Sequence, residues 1–210
     1  MIRYVQFVFL REGTSDDGLL AHLESLLVRE GADEVIGEIR AYRGSTRQKL
    51  ECFLEESLPV DAIFVHRDAD QDGASARDKE IFDAGVLFAN CPPLIPVVPV
   101  SMTESWLLAE PEAIREVAGN QLGRMPLDIP PLHAIEGVAD GKTKLKRAIA
   151  DASGLSGSKL SRLNRNFERN RAAILNRLDP NGPVAALPSW VQLERDIKDF
   201  VSGTPRSIPR

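Results

Sequence analysis

The stretch VDAIFVHRDADQD, residues 60–72, decides the fold. Its first seven residues are rich in β-branched, aromatic and other apolar types, which reads as a strand. The strict alternation of a half-solvated strand is missing. Both of its faces are therefore expected to be covered, as in a parallel sheet with helices on either side. The strand then runs into three acids at alternate positions, Asp68, Asp70 and Asp72. Such sheets place their reactive groups at the carboxyl ends of the strands.

Working outward, residues 2–10 (IRYVQFVFL) give a first buried strand that ends before Arg11-Glu12-Gly13. Residues 34–41 give a second, weakened by Gly37, and PPLIPVVPV at 92–100 a fourth, whose prolines point to a sheet edge. Helices fill the gaps. Leu19, Leu20, Leu23, Leu26 and Leu27 recur at helical spacing behind Ser15 and Asp16, which are expected to cap them. Ser45 or Thr46 opens a helix through about residue 58, residues 74–90 form another, and Thr103 caps one that ends at Gly119. The alternation predicts an α/β fold, a central parallel sheet of about four strands flanked by helices, with a C-terminal helical extension. Residues 1–119 form the expected α/β domain, and the proline-containing stretch 120–141 a loop or linker. Residues 142–210 carry helices at about 142–152, 158–178 and 189–202, expected to pack on the same core.

The 210 residues are 43% hydrophobic and 27% charged, ordinary for a soluble globular chain. A net charge of −5 gives no global sign of a nucleic-acid binder. Its distribution is more telling. Between Lys142 and Arg177 stand ten Lys or Arg and two acids, a local +8 that leaves −13 for the remainder. Arg162, Arg165 and Arg169 recur at i, i+3 and i+7, away from the apolar stripe of Leu160, Leu163, Phe167, Ile174 and Leu178. Paired guanidinium donors suit phosphates, so this row is a candidate nucleic-acid surface. The bland alternative is a solvated face, or one that pairs with the acidic half of the chain.

Cys52 and Cys91 stand far apart without a CxxC, and both read as buried free thiols in a reducing, cytoplasmic setting. The apolar N-terminus is too short for a membrane span of about 20 residues and has no cleavage signal, so no membrane association is expected. His22 and His66 read as structural, His66 as a hydrogen-bond partner of a ligand carboxylate. Trp106 and Trp190 read as core or interface residues.

Acids gather at three expected strand exits: Glu12, Asp16 and Asp17 after the first, Asp68, Asp70 and Asp72 after the third, and Glu104 after the fourth. Crowded carboxylates repel one another unless a cation neutralises them, and hard oxygen donors suit Mg²⁺ or Mn²⁺. Each acid alone has an ordinary explanation as a turn, a solvated loop or a first-turn helix acid. Together, at one sheet edge, they favour a metal site.

The stretch EGTSD at 12–16 resembles the Glu-Gly-x-Ser-Asp signature of Toprim domains, and RDAD at 67–70 resembles their Asp-x-Asp motif. TESWLLAEPEAI resembles the segment after the fourth strand of small stand-alone bacterial Toprim-like proteins, akin to the overcoming-lysogenisation-defect (OLD) nucleases. The resemblance covers about residues 1–118. It implies Mg²⁺ or Mn²⁺ held by Glu12, Asp68 and Asp70, with Asp16 closing the first motif. Glu104 is implied as a later ligand, and Asp72 is either a further ligand or a loop acid. Glu12 is implied as ligand or general base, and Lys142, near a scissile phosphate, as a catalytic lysine. The implied activity is metal-dependent cleavage of nucleic acid, DNA ahead of RNA, in a bacterial defence or repair setting. Two other readings stay open: a regulated subunit that works only on an ABC-type ATPase partner, and another phosphoryl-transfer enzyme. Tyr4 and Tyr42 are poorly placed for covalent topoisomerase chemistry.

Overall fold

A computed structural model describes residues 4–70 and 72–204. Strands β1 (Tyr4–Leu10), β2 (Glu34–Arg40), β3 (Ala62–His66) and β4 (Leu94–Val97) form one sheet in the order β2-β1-β3-β4. Every neighbouring pair is parallel, so the expected α/β architecture is present. Leu10 lies opposite Val65, and His66 opposite Val97. β4 is an edge strand, where Pro96 costs no inner ladder bond.

The described chain divides into two compact units, one of residues up to Val98 together with those from Val191, the other Pro99–Trp190. These limits fall just after β4 and within the last helix among the described residues, α9 (Pro188–Ser202), and not in the proline-containing stretch 120–141.

In the first unit the pleat sends alternate side chains to opposite faces of the sheet. Val8, Leu10, Ile63 and Val65 pack with Leu50 and Phe53 of α2 (Thr46–Glu55) and Ile81 and Ala84 of α3 (Ala74–Val86). The alternate positions, Phe7, Phe9, Phe64 and His66, are also shut from water. The Phe7 and Phe64 rings lie 4.7 Å apart, and Phe9 meets His66 at 6.3 Å. Burial on both faces is why β3 reads as a continuous apolar run. Helix α1 (Leu19–Arg29) buries Leu19, Leu23, Leu26 and Leu27. Gly37, which weakens β2 on paper, is required by packing: a Cβ there would come within 2.5 Å of the Phe7 ring and 2.7 Å of Leu20. Arg29 of α1 pairs with Glu194 of α9 at 2.7 Å.

The second unit contains α4 (Glu104–Leu108), α5 (Pro111–Val117), α6 (Gly141–Ser153), α7 (Gly157–Arg165) and α8 (Phe167–Leu175). Trp106 and Trp190 are fully buried with rings 5.0 Å apart edge to face, and the Trp106 indole N–H donates to Ser189. Helix α6 starts on an Asp140 side chain that accepts from Thr143 N, and stops at Gly154 in the left-handed region.

Several local expectations need correction. Ser15 and Asp16 do not cap α1: they lie in a separate 3₁₀ turn, Thr14–Asp16, and α1 follows Gly18 without a side-chain cap. The single helix expected from Thr103 to Gly119 is two, because Pro111 lacks an N–H and pushes Glu110 out of helical geometry. The helix expected over 158–178 breaks at Asn166. The linker contains a 3₁₀ turn, Leu132–Gly137, anchored by buried Ile135. Cys52 is exposed and Cys91 half-buried, and both are free. No helix among the described residues is long and apolar enough to cross a membrane.

Candidate active site at the carboxyl edge of the sheet

The chain turns one way from β1 to β2 and the other way to β3, so the gap between β1 and β3 is the topological switch point of the sheet. Loops at such a point diverge and leave a crevice at the carboxyl ends. Two of the three acidic exits open there. Glu12 Oε2 accepts the Asp68 backbone N–H at 2.8 Å, tying the end of β1 to the end of β3. His66, wholly buried at the tip of β3, stands between acids. Its Nε2 lies 3.5 Å from Asp68 Oδ1 and its Nδ1 3.6 Å from Asp16 Oδ2. Nδ1 also faces the Glu12 backbone N–H at 3.4 Å, and Asp16 Oδ2 accepts from Gly13 N at 3.2 Å. The 3₁₀ turn thus folds Asp16 back under the loop, where it is buried.

Cations surround these acids. Arg67 Nε lies 3.7 Å from Glu12 Oε2, and its Nη1 donates to Thr46 and pairs with Glu80. Burial opposes ionisation of Glu80, but the Thr46 hydroxyl, Arg77 and Arg67 outweigh it and hold the carboxyl below the usual range. Arg77 carries the other acids of the loop: its Nη2 lies 2.9 Å from Asp72 and 3.6 Å from Asp70, and its Nε donates to the Asp68 carbonyl. Asp70 itself takes a positive φ of 48°, in the left-handed region.

The structure therefore brings Glu12, Asp16, His66 and Asp68 together and directs Asp70 and Asp72 to Arg77. Glu104 lies in the second unit, buried against Arg171 at 2.7 Å. Lys142, at the start of α6, pairs with Glu168 at 2.8 Å over the Phe167 ring. Arg162 and Arg165 belong to α7 and Arg169 to α8, so the break at Asn166 divides the expected row. All three are exposed, and none is ion-paired among the described residues.

One site residue escaped sequence reading. Lys49, in the middle of α2, is buried and donates from Nζ to the Arg11 carbonyl at 2.8 Å. Burial pushes its ammonium below the usual range, with Glu12 and Asp16 drawing it back up. Its position beside Leu50, on the covered face of an amphipathic helix, was the available signal: a lysine there needs a polar partner.

No three His, Cys, Asp or Glu side chains among the described residues form a ready-made metal cage. Mg²⁺ does not require one. It keeps several waters and is commonly held by one or two carboxylates together with substrate phosphates. Glu12 and Asp68, both partly exposed where β1 and β3 end, fit that pattern as hard oxygen donors. No family model, curated protein or solved structure gives a significant match to this chain.

Proposed function

We propose that the β1/β3 edge is the site of a divalent-metal-dependent nuclease of Toprim type, which hydrolyses phosphodiester bonds in nucleic acid, DNA ahead of RNA. The observation that carries this reading is the Glu12–Asp68 contact: two acidic loops are joined at the switch point of a parallel sheet, the place where open α/β sheets generally bind their ligands. The resemblance of EGTSD and RDAD to Toprim motifs supports it.

Glu12 and Asp68 would hold Mg²⁺ or Mn²⁺, which when bound supplies charge neutralisation at a phosphate and a more acidic water. The chain's own groups do the rest. Asp16 and His66 act as positioning residues, because a buried imidazole between Asp16 and Asp68 fixes where the Asp68 carboxylate stands. Arg67, beside Glu12, and Lys49, behind the Arg11–Glu12 peptide, are cations suited to offsetting phosphate charge. In the reaction a water oxygen bonds to phosphorus as the ester P–O bond to the leaving alcohol breaks. The water's proton leaves to an acceptor, and the departing alkoxide gains one. The exposed Arg162, Arg165 and Arg169 would contribute phosphate contacts.

The test is nicking of supercoiled DNA with Mn²⁺ by wild type, Glu12→Gln and Asp68→Asn. Metal-dependent nicking that both variants lose is expected. Nicking that survives in both overturns the assignment. An absence of nicking by wild type, with Mn²⁺ affinity intact, would favour the reading as a subunit that needs an ATPase partner.

A further inference from the structure

The second unit has a cavity of its own. It measures about 720 Å³ and is lined by Glu110, Glu112, Arg115, Arg177, Asp179 and Pro183, among others. A neighbouring apolar pocket of about 380 Å³ shares Pro111, Arg115 and Pro183 with it and is lined by Leu127, Ile129 and Leu132. Each is in the size range of a small-molecule site, the larger with a mainly charged wall and the smaller with a mainly apolar one.

Two of the charged groups lack what they need. Glu110 is 6% exposed, and its Oε1 is buried without a hydrogen-bond partner among the described residues. Arg115 donates from Nη2 to the Met125 carbonyl at 2.7 Å, yet its Nη1 is also buried without a partner among those residues. An unmatched buried carboxylate oxygen and an unmatched buried guanidinium nitrogen are each costly, and most native proteins satisfy such groups. They do not satisfy each other. Pro111, the residue after Glu110, fixes the start of α5, so both groups sit on a chain segment whose geometry is set by sequence. Arg177 does not relieve them: it is taken by Glu116 at 2.9 Å and by the Ala173 carbonyl.

We propose that this cavity binds a free α-amino acid with an apolar side chain, its ammonium facing Glu110, its carboxylate facing Arg115 and its side chain in the apolar pocket. One molecule then supplies the missing donor, the missing acceptor and the apolar filling. The excess of acids on the wall, Glu112 and Asp179 besides Glu110, favours the ammonium end. This site is independent of the carboxyl-edge chemistry.

Burial, reinforced by Asp179 and Glu112 and opposed by the Val184 amide, pushes the Glu110 carboxyl up to about 7. An ammonium prefers the ionised form, so affinity should fall as pH drops below that midpoint, approaching tenfold per unit. The other charged groups on the wall are Glu112, Arg115 and Glu116 from α5, and Arg177 and Asp179 after α8. The 3₁₀ turn Pro183–Ala186 brings none.

The test is calorimetric titration of the full chain with three probes at pH 8 and pH 6: L-phenylalanine, phenethylamine, which lacks the carboxylate, and 3-phenylpropanoate, which lacks the ammonium. Phenylalanine should bind tightest, phenethylamine at least tenfold more weakly, and 3-phenylpropanoate weakest. Phenylalanine should weaken severalfold or more at pH 6. Glu110→Gln, which keeps the shape, should lose at least tenfold in phenylalanine affinity together with its pH dependence. Should that variant melt early, the pH series on wild type stands in its place. The proposal is overturned by equal affinity for phenylalanine and 3-phenylpropanoate, by no binding of phenylalanine at pH 8, or by a well-folded Glu110→Gln chain that keeps wild-type affinity. An N-acetylated, C-amidated phenylalanine arm separates sources: retained binding would point to a residue within a peptide and overturn the free amino acid.

Discussion

Arg171 Nε donates to Glu104 Oε1 across 2.7 Å, and both side chains are almost completely shut from water. A charge in such a place is tolerable only beside its opposite. Arg171→Met is therefore expected to destabilise the chain by about 3–5 kcal/mol, because it strands a buried carboxylate. Glu104→Met combined with Arg171→Leu should recover most of the loss. Urea melts of the single and double variants check this, and a loss below about 1 kcal/mol for Arg171→Met would contradict it.

Glu12→Gln and Asp68→Asn keep the shape of the loops, and the glutamine side chain retains an oxygen that can accept the Asp68 backbone N–H. Each should lower Mn²⁺ affinity and nicking by roughly a hundredfold while the melting temperature stays within a few degrees. Asp70→Asn, whose carboxylate lies toward Arg77, should cost less than Asp68→Asn. Calorimetry with Mn²⁺ ranks the three, and an equal loss from Asp70→Asn would mean that Asp70 is a full ligand.

Glu110 gives a dependence of stability on pH with a definite sign. Its carboxyl titrates near 7 when folded, against the ordinary 4.5. The folded chain thus holds the extra proton between these values. Its contribution to stability is complete below about pH 4.5 and is lost as pH rises through about 7, up to about 3 kcal/mol in all. Glu110→Gln should flatten this slope. Melts of both chains from pH 5 to 8 provide the comparison, and parallel curves would show that Glu110 is ionised throughout.

For the basic surface, replacing Arg162, Arg165 and Arg169 together should weaken nucleic-acid binding alike at every sequence. It should also flatten log K against log salt by roughly 0.7–0.9 for each phosphate left without its arginine. Thermal stability should hardly move, since the three side chains are exposed. An unchanged slope with a lowered melting temperature would mark a packing face.

The sheet was legible because β1, β3 and β4 are short, mainly apolar runs, whereas β2, EVIGEIR, carries three charged residues and a glycine and rested on its place in the strand–helix alternation. Glu12 and Asp68 were legible as strand-exit acids. What escaped depended on partners distant in sequence. Nothing near Lys49 announces the Arg11 carbonyl, and nothing near Glu104 announces Arg171. Helix breaks at Pro111 and Asn166 differ in kind: the proline was readable as a missing N–H, whereas a continuous hydrophobic stripe runs through Asn166 and hides the break.

The Arg29–Glu194 pair also bears on the order in which the fold is completed during synthesis. The unit whose strands leave the ribosome first recruits residues from Val191 onward, so it waits for the whole second unit to be made. A nascent chain can assemble Pro99–Trp190 from contacts close in sequence while the older sheet still lacks the residues from Val191 onward. Contacts that span such a separation form late and slowly. The sheet half is therefore the one exposed to aggregation and proteolysis at the ribosome, and early termination after Trp190 would release it incomplete.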